Sequence, residues 1–176
     1  LNKTMCNSCG HDCSPILILA TNEGFGTYTT EILKTEGFNE FKIDSLNNTK
    51  MTLNYLKQFD IVILTEMAVS GSGSILLSDY VRSGGNLIAF RPDKQLCEIF
   101  GIIDIKESVK EGYIKIDTST LIGNGLIPET IQFHGISDLF RLDGGEMIAS
   151  IFLNSKDSTE FPAVVVNNYG SGHAAA

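Results

Sequence analysis

The sequence predicts an α/β domain: a parallel sheet with helices on both faces, followed by an antiparallel, strand-rich second half. Three observations carry this. The apolar runs at residues 16–20 and 61–64 are continuous rather than alternating, as expected for strands buried on both faces. These runs alternate with helical patterns across short loops, the signature of a parallel sheet. From Tyr113 onward the helical patterns stop and strand patterns follow one another.

The elements follow in order. Ser14-Pro15 is a break before the first strand, 16–20. A loop over 21–26 leads to a helix that Thr27 or Thr29 can cap, with Tyr28, Ile32 and Leu33 on one face and Gly37 as its stop. Phe41 and Ile43 alternate with polar neighbours, giving a second strand. Residues 51–58 form a short helix with Leu53 and Leu56 inward, and 61–64 is the third strand. Residues 74–83 are an amphipathic helix with Leu76/Tyr80 and Leu77/Val81 paired at i,i+4, ended by Gly84-Gly85. Residues 86–90 are the fourth strand, and Pro92 opens a helix over 93–100. In the second half, 113–116, 130–133, 139–142, 147–153 and 163–166 are strand-like, and Asp143-Gly144-Gly145 is a hairpin-type turn. These strands are expected to join the edge of the parallel sheet. With no repeat and no low-complexity linker, residues 15–176 read as one domain behind a flexible, cysteine-containing leader over 1–14.

Composition narrows the function. The 176 residues are 43% hydrophobic and 19% charged, enough for a sizeable core. The formal net charge of −8 disfavours nucleic acid as a partner, because an acidic surface repels phosphates. No apolar run approaches the roughly 20 residues of a membrane span. The chain begins at Leu1, and 167–173 reads as a turn entering a strand in which Ala174, Ala175 and Ala176 stand. The chain is therefore expected to be a piece of a longer polypeptide, truncated at its C-terminus. An exposed sheet edge could pair with that remainder or with a second copy, giving a homo-oligomer.

Cys6, Cys9 and Cys13 lie within eight residues, with His11 between them and Cys97 far along the chain. Such ligands can surround zinc, but structural sites usually carry two spaced cysteine pairs, so no metal and no cofactor are expected. Elemental analysis without zinc would remove a metal-dependent scaffold. The Asn-x-Thr triplets at Asn2 and Asn47 matter only in a secreted eukaryotic protein.

Residues 59–64, then Asp79-Tyr80-Val81 with Gly84-Gly85 and the strand after them, form a strand, helix, strand pattern. Phe133-His134-Gly135, Pro162-Ala163-Val164 and Tyr169-Gly170-Ser171-Gly172 continue it. In this pattern the chain resembles class I glutamine amidotransferase-like domains over about residues 15–176. The nearer likeness is to ThuA-like proteins and the amidotransferase-like domains attached to some glycoside hydrolases. The resemblance implies a three-layer, flavodoxin-like fold. It also implies a cysteine nucleophile on a strained elbow after the fourth strand, with a histidine to take its proton. The elbow here reads Arg91-Pro92-Asp93-Lys94, with no cysteine or serine. Cys97 stands about one helical turn further on, as a packing residue, and no carboxylate stands two residues after His134. Glutaminase and amidotransferase activities are expected to be absent, and no residue inherits the family's triad.

Ligands of open parallel sheets sit beyond the C-terminal strand ends. Those ends supply Asn22, Glu23 and Phe25, then Thr65 and Glu66, then Arg91 and Asp93, with His134 joining by analogy to the family's Phe-His loop. Carboxylates accept from hydroxyls, arginine donates a planar fork and Phe25 offers an apolar face. The set suits a sugar or a small polar metabolite. A structural Glu66–Arg91 ion pair is an equal alternative, and for His134 alone a structural role is the stronger reading. Gly24-Phe25-Gly26 lacks the rest of a nucleotide fingerprint. The expected function is a non-catalytic accessory or ligand-binding domain of a larger, extracytoplasmic, carbohydrate-related protein. The alternative is a sugar-directed hydrolase or isomerase using Glu23 and Glu66, whose carboxylates would stand about 5–10 Å apart. A polar, empty cleft with that separation favours the enzyme, whereas a cleft filled by Phe25 and a Glu66–Arg91 pair favours the module.

Overall fold

The continuous apolar runs of the first half become parallel strands because alternate side chains enter two different cores. A computed structural model describes residues 14–21 and 25–176, with the backbone alone at Phe25. The first half runs β1 (Ile16–Leu19), α1 (Phe25–Thr35), β2 (Phe41–Asp44), α2 (Leu53–Leu56), β3 (Ile61–Leu64), α3 (Gly71–Arg82), β4 (Asn86–Ala89) and α4 (Cys97–Phe100). The second half is β5 (Ile102–Lys110), β6 (Tyr113–Ile116), β7 (Ile131–Gln132), β8 (Ile136–Leu142), β9 (Glu146–Phe152), β10 (Ser158–Tyr169) and β11 (Gly172–Ala175).

One mixed sheet has the order β2-β1-β3-β4-β11-β10-β9-β6-β7. The strands from β2 to β11 are parallel, and those from β11 to β7 are antiparallel. The last strand of the chain is thus inserted between the two halves. Leu17, Leu19, Val62, Leu64, Leu87 and Ala89 point to one face, against Leu56, Leu77, Tyr80, Val81 and Phe100 of α2, α3 and α4. Ile16, Ile18, Ala20 and Ile63 point to the other, where Leu33 of α1 packs. On that second face a groove lined by Ile88, Val166, His173 and Ala175 opens over β4, β10 and β11.

The outcome departs from the sequence expectations at five places. Helix α1 starts at Phe25, so Thr27 and Thr29 lie inside it rather than at its cap. Its inward side is Gly26, Thr29, Thr30 and Leu33, while Tyr28 and Ile32 are each 62% exposed. Gly26 explains this: a Cβ there would stand 2.4 Å from the Ala20 Cβ, so the helix approaches β1 through its glycine. The expected helix over 93–100 is a 3-10 turn, 94–96, capped by Asp93 and followed by α4. β5 was not foreseen; most of its side chains are solvent-facing and, among the described residues, it pairs with β8 alone, in a separate two-stranded sheet. Asp143-Gly144-Gly145 is not a hairpin turn, since β8 and β9 belong to different sheets; it hands the chain from one to the other.

Among the described residues no helix is long and apolar enough to cross a membrane. The leader, with Cys6, Cys9, His11 and Cys13, lies outside the described residues apart from Ser14, and so do Asn22 and Glu23. Cys97 begins α4, half-buried, and burial pushes its thiol pKa up. Its side chain packs against the main core, as expected of a packing cysteine.

Candidate functional site

The parallel strands aim their C-terminal ends at the space beneath the β5–β8 ribbon. After β3, Thr65 is buried and its hydroxyl donates to the Leu19 carbonyl at 3.1 Å, tying the end of β3 to β1. Glu66 follows at the rim. After β4, the Phe90 N–H donates to the Leu64 carbonyl at 3.0 Å, which carries the pairing one residue beyond the strand. The chain then turns sharply at Arg91, whose φ is +46°. A side chain at positive φ costs about 1–2 kcal/mol of backbone strain. The turn aims the guanidinium along the strand ends.

There Arg91 meets two carboxylates. Its NH1 group donates to Glu66 Oε1 at 2.8 Å and its Nε–H to Asp138 Oδ2 at 3.0 Å. The Arg91 side chain is 41% exposed, with Glu66 at 35% and Asp138 at 22%. The hydrogen bond to Asp138, then the charges of Asp138 and Glu66, raise the guanidinium pKa against the opposing effect of partial burial. Arg91 is therefore a permanent cation, and the cluster carries a net single negative charge. Such half-exposed pairs contribute about 1 kcal/mol or less to stability, so holding this geometry is not explained by stability.

Asp93 does not join them. Its carboxylate accepts the Val69 N–H at 3.0 Å and the Gln95 N–H at 2.9 Å, capping the turn that starts α4. Burial pushes its pKa up, but the backbone donors of Gln95 and Val69 more than offset this and leave it lowered. Its position at a strand end concealed a capping role.

His134 stands on the loop between β7 and β8. Its Nδ1 lies 2.7 Å from Glu111 Oε2, and Glu111 Oε1 accepts the Gly135 N–H at 2.9 Å. Two backbone bonds, Glu111 N–H to the Gly135 carbonyl and Phe133 N–H to the Gly112 carbonyl, lock the same two turns together. His134 and its partner therefore clasp the outer lip of the cleft. The hydrogen bond from His134, then that from the Gly135 N–H, lower the Glu111 pKa below its ordinary 4.5. A lowered folded-state pKa stabilises the fold fully above the unfolded value and loses that stabilisation as pH falls through the folded one. Melting temperatures of the wild type and Glu111→Gln should accordingly differ at pH 6 and converge as the pH drops below about 4. A difference that persists unchanged at low pH would contradict the clasp.

Between these two clusters lies a cleft of about 740 Å³. Its mouth carries Glu66, Arg91, Asp138 and His134, with Phe90 and Phe133 beside them. Its floor is apolar, formed by Ile102 and Phe140 together with Ile114, Ile151 and Val165 from the antiparallel strands. Of the residues expected at the site, the fold brings together Glu66, Arg91 and His134, and turns Asp93 away. Asn22 and Glu23 lie outside the described residues, as does the Phe25 side chain. Asp138, Glu111, Phe90 and Phe133 were missed. Asp138 is 47 residues from Arg91 and no local pattern links them. Among the described residues, no group of three or more His, Cys, Asp or Glu side chains is placed to hold a metal ion.

No family model matches the chain, and no curated protein matches it by sequence. Solved structures do resemble it. A ThuA-like protein from Bacteroides uniformis matches over 97% of this chain and 86% of its own, at 15% identity and a TM-score of 0.64. A GMP synthase component from Thermoplasma acidophilum matches over 93% and 83%, at 14% identity and a TM-score of 0.60. A β-galactosidase from Bacillus circulans sp. alkalophilus matches over 93% of this chain at 12% identity and a TM-score of 0.65. The chain spans about 28% of that enzyme's length. At these identities the likeness is one of fold alone.

Proposed function

We propose that residues 15–176 act as a non-catalytic, ligand-binding accessory domain of a larger carbohydrate-related protein. The observation that carries this reading is Arg91. It occupies the strained turn after β4 at which an amidotransferase of this fold needs its nucleophile. An arginine tied to Glu66 and Asp138 can neither attack a carbonyl nor take a proton, since its pKa lies above any working pH. What it can do is present fixed donors and acceptors to a ligand. The likeness to a 28% portion of a β-galactosidase supports reading the chain as one module of a larger carbohydrate-related protein. The strand order β2-β1-β3-β4-β11, with α1 on one face and α2, α3 and α4 on the other, supports the three-layer, flavodoxin-like arrangement as the finer description of the fold.

A thermal-shift screen tests the function, with neutral mono- and disaccharides and small polar metabolites against the wild type and Arg91→Ala. A ligand present at about 100 times its Kd stabilises by about 2.7 kcal/mol. For a chain of this size that raises the melting temperature by about 5–10 °C. The shift should appear in the wild type and vanish in Arg91→Ala. A shift retained by the variant would place the ligand elsewhere. Turnover of a sugar substrate that is lost in Glu66→Gln would replace this reading with a hydrolase or isomerase.

A further inference from the structure

Resting on the reading of this cleft as a ligand site, we propose that it takes an uncharged amphipathic ligand. A hydroxyl-rich head sits at the Glu66–Arg91–Asp138 mouth, and an apolar group lies between the two sheets. The head follows from the set of hydrogen-bonding groups. Glu66 Oε1 and Asp138 Oδ2 are taken by Arg91, and both Glu111 oxygens are taken by His134 and Gly135. Glu66 Oε2 and Asp138 Oδ1 remain as acceptors, and the remaining N–H groups of Arg91, which is bonded to both carboxylates, as donors. Acceptors and donors thus stand together at the mouth.

Only a group that both donates and accepts satisfies such a set, and hydroxyls do both. An ammonium meets the two carboxylates but has no acceptor to offer the guanidinium between them, whose N–H groups it leaves unmet. A carboxylate or phosphate meets the guanidinium but faces two carboxylates of its own sign. The uncharged polyol is the chemistry with no unmet or repelled group.

The tail follows from the apolar lining. Phe90 and Ile136, 49% and 54% exposed, and half-buried Phe133 present apolar surface to the cleft, above the buried side chains of Ile102, Phe140, Ile151 and Val165. The cleft, at about 740 Å³, falls in the size range of sites that enclose a drug-sized ligand. A small sugar bound at the mouth would leave that apolar surface in contact with water. An aryl or alkyl group on the sugar would cover it.

Isothermal titration of the whole chain tests this. The probes are methyl glycosides, p-nitrophenyl glycosides and p-nitrophenyl uronides in the gluco, galacto and manno configurations, with p-nitrophenol alone beside them. In at least one configuration the p-nitrophenyl glycoside should bind at least 10-fold more tightly than the methyl glycoside and the p-nitrophenyl uronide. Ile136 lines the cleft and is 54% exposed, so Ile136→Ser leaves the fold intact. That variant should narrow the aryl advantage below 3-fold while the methyl glycoside binds as before. Equal binding of methyl and aryl glycosides, both lost in Arg91→Ala, would overturn the amphipathic assignment and leave the ligand-site reading standing. p-Nitrophenol binding as tightly as its glycosides would overturn the polar head. No binding by any glycoside in any configuration would overturn both.

Discussion

Phe100→Ala should unfold the protein more readily than a change at the exposed mouth of the cleft, lowering stability by about 3–5 kcal/mol. Phe100 is fully buried at the end of α4, in the core shared with β1, β3 and β4. It also abuts the junction with the second half: Gly101 follows at φ +62°, and its carbonyl accepts the Asp143 and Gly145 N–H groups at 2.7 and 3.0 Å. Truncation leaves a cavity that the surrounding backbone cannot collapse to fill, because those bonds pin it. For a chain of this length the melting temperature should fall by about 6–20 °C. Phe90→Ala is the control, since Phe90 is 49% exposed and its loss should cost little stability. Thermal denaturation of both variants checks this. A similar fall in the two would mean that α4 does not anchor the junction.

Gly172→Ala should be nearly as damaging, at about 3 kcal/mol, although it adds a single methyl group. Gly172 opens β11, the strand that joins the parallel half of the sheet to the antiparallel half. A Cβ there would stand 2.1 Å from the Val81 carbonyl oxygen and 2.3 Å from that of Gly85. Both are backbone atoms at the end of α3 and its following turn, so no side chain can swing aside. The His173 N–H donates to the same Gly85 carbonyl at 3.1 Å, so relieving the clash would break the first pairing of β11 with β4. The fall in melting temperature should be about 6–12 °C. Gly144→Ala is a useful contrast: its φ of +95° brings strain, but nothing lies within 4 Å of the added carbon. A Gly172→Ala variant as stable as the wild type would mean that α3 and β11 are not in backbone contact.

Both variants bear on the cleft without touching it. The cleft exists because β11 and the α4–β5 junction fix the antiparallel strands and the β5–β8 ribbon against the parallel strand ends. The sequence carried little of this. β5 reads weakly because most of its residues face solvent, so it shows no clear apolar alternation. The face of α1 was misassigned for the opposite reason. Tyr28 and Ile32 are apolar yet exposed, while glycine and threonines make the close contact with the sheet. Apolar periodicity presumes that the larger hydrophobe faces inward, and a glycine-mediated approach breaks that presumption.

Expected and observed structure agree where the physics is local. A strand buried on both faces must be apolar throughout, so β1 and β3 were legible within a few residues. Gly84-Gly85 after α3 and the absence of a cysteine or serine after β4 are likewise written in neighbouring positions. The amino-acid sequence alone therefore determined an α/β sheet with an arginine at the turn after its fourth strand. Tertiary structure alone decided what that arginine does. It brought Asp138 from a strand 47 residues away, turned Asp93 into a cap and set an apolar floor behind a polar mouth. A side chain's partners depend on which strands lie side by side. That depends on pairing between distant segments, which no local spacing of residues encodes.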